Sequence, residues 1–133
     1  MTVSELQDLL GGTSELPPPY FVEEVGDWGV RIRLPVTVAH SRPGGTVSGP
    51  ALMTMADAAA FLAILAQIGP IVLAVTTSLH IDFLRKPDLV DLVAEGRLLK
   101  LGKQLGVVDV GIRSEGRDEL VAKAQVTYSI PPR

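Results

Sequence analysis

The segment Gly49 to Ile68, GPALMTMADAAAFLAILAQI, has only Thr54, Asp57 and Gln67 as polar side chains, and these do not share one helical face. Ala, Leu and Met dominate it, so its helix propensity is high and the strand reading is weak. A helix that is apolar on all sides belongs in a core. Ser48 or Gly49 offers an N-cap, and Pro50 sits in the first turn, where a missing N–H is tolerated. Gly69-Pro70 predicts the stop. The resulting rod is about 30 Å long. The segments that follow read as strands, so a sheet is expected to wrap it.

One residue in that rod stands out. Between Pro43 and Ile81 the only formally charged side chain is Asp57. A lone carboxylate among apolar groups costs several kcal/mol unless it is paired, neutralised or used. Two readings follow: a buried Asp bonded to a nearby backbone group or hydroxyl, or a catalytic carboxylate.

The chain has 133 residues, which predicts a single domain over 1–133, and its 47% apolar and 20% charged content excludes a disordered protein. A net charge of −3 gives no basic excess, so neither nucleic acid nor an anionic membrane is an expected partner. With no cysteine, disulfides, thiolate metal sites and a Cys nucleophile are excluded. His40 and His80 do not have the spacing of a metal pair with any carboxylate, so no metal and no cofactor are expected. A Ser48–His40–Asp57 triad lacks the G-x-S-x-G elbow. The N-terminal MTVSELQDLLGG lacks a basic start and an apolar run, so no signal peptide is expected. The central helix is long enough to span a membrane, but Asp57, Gln67 and the alternating strands after it favour a soluble, cytoplasmic protein.

In chain order, Val3 to Leu10 predicts a short amphipathic helix, capped by Ser4 or Thr2 and ended by Gly11-Gly12. Pro17-Pro18-Pro19 leads stiffly into a hairpin of Tyr20–Val25 and Trp28–Val36 turning at Gly26-Asp27. There Val30, Ile32, Leu34 and Val36 alternate with Arg31, Arg33 and Pro35, the mark of a sheet with one wet face. His40 to Gly49 is a loop. Val72 to Leu84 reads as one long strand, with Leu73, Val75, Thr77, Leu79, Ile81 and Phe83 on one face. Its other face, Thr76, Ser78, His80 and Asp82, should meet solvent or a second subunit. Val93–Leu101, Val107–Ser114 and a last strand with Leu120, Ala122, Ala124, Val126, Tyr128 and Ile130 inward complete the chain. The fold class is α+β: five or six curved antiparallel strands around one long apolar helix.

The stretch Arg42 to Asp57, RPGGTVSGPALMTMAD, resembles the N-P-x-G-x-x-H-G-G-x-x-x-x-L-A-D signature of PaaI-like acyl-CoA thioesterases, which have the hotdog fold. Similarity continues through Thr76–Pro87, Gly102–Val110 and Leu120–Tyr128. The resemblance implies hydrolysis of a CoA thioester by activated water. It puts Asp57 in the place of the general base or nucleophile, and Gly49 in that of the oxyanion donor at a helix start. Thr76 aligns with the hydroxyl that positions the water. It further implies sites shared between subunits, in a homodimer or homotetramer.

This sequence departs from the signature at Arg42, which stands for Asn, at Ser48, which stands for His, and at Pro50, which stands for the second Gly. Ser48 either caps the helix or contacts substrate. Arg42 either pairs with Asp57 or lies outside the pocket. Arg85, Lys86 and Lys103, at strand ends and turns, are candidates for the CoA phosphates. Phe61 and Thr77 are candidates for lining the site. Two other functions stay open: an acyl-CoA-binding protein without turnover, and a hotdog hydratase or dehydratase, which would need a His with a carboxylate.

Overall fold

The computed structural model describes residues 1–11 and 19–132; the expected turn at Gly12 and the start of the proline run, Pro17-Pro18, lie outside them. Helix α1 spans Val3–Gly11. Its start is a reciprocal cap, with the Glu5 N–H donating to Thr2 Oγ1 at 3.1 Å and the Thr2 N–H donating to Glu5 Oε1 at 2.9 Å. Thr2, not Ser4, is therefore the cap. Buried Leu6 and the Gln7 amide, which donates to the Tyr20 carbonyl and accepts from the Val22 N–H, fasten α1 to the first strand.

Strands β1 (Phe21–Gly26) and β2 (Gly29–Leu34) form the expected hairpin. On its wet face Arg31 pairs with Glu23 and Glu24, and Arg33 pairs with Glu23. The loop before the long helix contains a small ribbon that periodicity does not reveal, β3 (Ser41–Arg42) paired with β4 (Thr46–Val47). Gly44 and Gly45 turn it with φ of 107° and 77°, a region open chiefly to glycine. Helix α2 covers Gly49–Ile68 as expected. It is followed by β5 (Val75–Phe83), β6 (Leu92–Leu101), β7 (Leu105–Ser114) and β8 (Leu120–Ser129). The six long strands form one sheet in the order β1-β2-β6-β7-β8-β5, antiparallel throughout.

The inward residues of β7 and β8 match their alternation: Val108, Val110, Ile112, Ala122, Ala124 and Val126 are buried against α2. Helix and sheet backbones approach closely at Gly96 in β6, where a Cβ would lie 2.9 Å from the Ala59 carbonyl oxygen. Backbone atoms cannot yield as a side-chain tip can. Gly96→Ala is thus expected to cost about 1–3 kcal/mol, read from urea unfolding midpoints.

Two expectations need correction. The helix is not buried on all sides. From Leu62 to Ala66 it is enclosed, but Pro50, Met53 and Thr54 are exposed and Asp57, Ala58 and Phe61 are half-buried. One curved sheet covers one side of a rod, and the N-terminal half keeps an open stripe. The second correction concerns the strand after the helix, which begins at Val75, because Val72 and Leu73 lie in a turn closed by the Ala74 N–H on the Ile71 carbonyl. Within it the pairing passes from Thr76↔Tyr128 to Ser78↔Thr127, so Thr77 is a bulge. One extra residue reverses the facing of what precedes it. Thr76 therefore turns to the helix side, away from the outward row of Ser78, His80 and Asp82.

Candidate active site

Asp57 lies two turns into α2, on the open stripe. Its carboxylate receives two hydroxyls: Thr76 donates to Oδ1 at 2.6 Å, and Tyr128 donates to the same Oδ1 at 2.9 Å. Oδ2 is the oxygen that neither engages. Thr76 and Tyr128 converge because they are register partners on β5 and β8, and the bulge at Thr77 brings Thr76 to the inner face. The Thr77 hydroxyl itself donates to the Thr127 carbonyl at 3.2 Å and takes no part. The Tyr128 ring packs tilted against Phe61, one helical turn beyond Asp57, with centroids 5.9 Å apart. Burial, with the nearby Asp57 charge adding to it, pushes the Tyr128 phenol above the ordinary tyrosine range, so it remains a donor. Tyr20 is pushed up to about 12, mainly by burial and further by Asp57.

The start of α2 supplies a second polar feature. The first N–H groups of a helix have no intrahelical partner. Here Pro50 has none to offer, the Ala51 N–H donates to Ser48 Oγ at 3.3 Å, and the Leu52 N–H reaches the Ser48 carbonyl. Among the described residues, that leaves the Gly49 N–H, at the positive end of the helix dipole, without a partner. Ser48 is the N-cap. Gly49 and Asp57 are eight residues apart on one helix, about 12 Å along its axis, so a single chain does not bring them to one carbonyl.

The other expected residues divide. Arg42, Gly49, Arg85 and Lys86 line one groove of about 360 Å³ with Phe83 and Leu52. The Arg85 guanidinium also donates to the Leu120 carbonyl, which ties part of it to β8. Ser48 lines a different hollow, beside Tyr20, His40 and Thr54. Lys103 is not brought to either; it sits in the β6–β7 turn, on a groove with Leu105, Ser129 and Pro131. Arg42 forms no pair with Asp57: the hydrogen-bond donors to that carboxylate are Thr76 and Tyr128. The alternation of the last strand puts Tyr128 inward without marking it as a site residue. Its signal was present, since it is the one inward position of the last strand that carries a hydroxyl.

A six-stranded antiparallel sheet curved over one central helix defines the hotdog class of proteins. The sequence profile of the thioesterase superfamily matches residues 44–121, more than half of the chain, and the chain belongs to that superfamily. A protein described as a candidate thioesterase from a Silicibacter species is 39% identical, with 98% of this chain and 87% of that one aligned at a TM-score of 0.80. Zebrafish thioesterase superfamily member 2 shares the fold at 19% identity, over 98% and 99% of the two chains, with a TM-score of 0.87. A protein of Thermoplasma acidophilum named as a candidate esterase is 25% identical over 82% of this chain and 81% of its own. Helix α2, though long and apolar enough to cross a membrane, is the core helix of this domain.

Proposed function

We propose that the protein hydrolyses an acyl-CoA thioester in a homodimer, and that each site joins Asp57 of one chain to the partner subunit's Gly49. The observation that carries this reading is the half-buried Asp57 carboxylate, anchored at one oxygen on an open apolar stripe. Water gives a proton to Asp57 Oδ2 while its oxygen bonds to the thioester carbon. The carbonyl oxygen gathers negative charge against the Gly49 N–H. The C–S bond then breaks, the thiolate leaves and takes up the proton, and free acid and CoA result.

A second copy is supported by the sheet edge. Among the described residues, strand β5 is terminal in the sheet, pairs only with β8, and exposes Val75 and Phe83. Such an edge invites a strand. Two-fold antiparallel pairing about its middle would set the Thr76 end of one β5 against the Phe83 end of the other. The Gly49 backbone lies beside Phe83, 3.6 Å separating the ring from the position of a Cβ. The apolar stripe with Met53 and Phe61 would then line the acyl channel, and Arg42, Arg85 and Lys86 would face the phosphates of CoA.

Thiol release from aryl, short-chain and long-chain CoA esters tests the reaction, and no release from any of them overturns it. For the phosphate contacts, Arg42→Ala with Lys86→Ala should raise KM for a CoA ester about tenfold and leave an N-acetylcysteamine ester unaffected. Equal KM changes for both esters would place these cations outside the binding site. Binding without turnover is the second reading, favoured by the cation Arg42 at the position of the signature's Asn. Stoichiometric CoA-ester binding with no thiol release selects it. A hydratase is not supported, because His40 Nδ1 accepts from the Thr37 N–H and His80 pairs with Asp82 on the exposed face.

A further inference from the structure

We infer that Tyr128 is a positioning residue for Asp57: with Thr76 it holds Oδ1 so that Oδ2 alone is presented to the reacting water. The inference rests on the thioesterase reading and adds to it a residue that the sequence signature does not contain. An Asp side chain turns easily about its last bond, since such a torsion has broad minima. A single donor fixes it weakly. Thr76 is exposed and its hydroxyl can rotate. Tyr128, by contrast, is 4% exposed, and its ring is fixed between the sheet and Phe61. Its single O–H proton is shared between two acceptors of Asp57, Oδ1 at 2.9 Å and the main-chain oxygen at 3.2 Å. The phenol thus registers the carboxylate against β8 and the helix backbone, while Thr76 ties it to β5. Two donors on one oxygen also decide which oxygen serves as base.

Tyr128→Phe keeps the ring and removes the hydroxyl. In its crystal structure the Asp57 carboxylate should turn or occupy two orientations. Its kcat should fall about 10–100-fold with KM within about twofold of the unmodified protein, in line with a lost hydrogen bond to a charged group. Thr76→Val gives a second arm, loosening Oδ1 from the other side with the same kinetic sign. In the Asp57→Asn background Tyr128→Phe should cost nothing more. A carboxylate that keeps its native orientation in Tyr128→Phe overturns the inference, as does a loss of kcat that persists in the Asp57→Asn background. Should the unmodified protein release no thiol from any ester, the proposed reaction fails, and the orientation of the carboxylate in the variant alone decides the role of Tyr128.

Discussion

Asp57→Asn is expected to lower kcat by about 10²–10⁴, the range for loss of a general base, while the protein stays folded and associated. The substitution is close to isosteric. Its amide oxygen can still accept from Thr76 and Tyr128, which now meet at Oδ1. What is lost is the negative charge and the capacity to take a proton from water. Steady-state thiol release, with melting and sedimentation as controls, separates the two readings of this residue. Unchanged turnover would remove Asp57 from the chemistry. Unfolding would mark it as a structural Asp whose hydroxyl partners hold helix to sheet.

The second large effect is expected at the other end of the same helix. Gly49→Pro removes one N–H and little else. Proline is welcome in a first helical turn, and Ser48 before it is already extended at ψ 152°, as a residue preceding proline must be. A Cβ there would meet only the Phe83 ring at ordinary contact distance. Loss of a lone oxyanion donor should cost about 10²–10³ in kcat. Mixing this variant with Asp57→Asn then tests the shared site. If carboxylate and amide come from different subunits, each mixed dimer regains one complete site. Subunit exchange should return activity to roughly a quarter of the native rate. No recovery after proven exchange would mean that both groups serve within one chain.

The apolar stretch from Gly49 to Ile68 told by itself that a helix would lie at the centre. Composition alone made that reading, because twenty residues with three polar side chains have no other stable place in water. The alternation of the last strand fixed which of its side chains point inward, and burial of Ala122, Ala124 and Val126 agrees. Asp57 was conspicuous as the one charge in a long neutral run. These are local properties, carried by a strand's period of two and by the cost of an isolated carboxylate.

Tertiary structure decided what surrounds that carboxylate. Counting along Val72 to Leu84 placed Thr76 outward, since a period of two has no means of registering an extra residue. The bulge at Thr77 exists only in relation to β8, whose pairing skips it. The same pairing set Tyr128, seventy-one positions from Asp57, against its Oδ1. Likewise, Arg42, Arg85 and Lys86 share a groove while Lys103 sits elsewhere, because the antiparallel pairing puts the end of β5 beside Ala122 and the start of β7 beside Ser129, at opposite ends of β8.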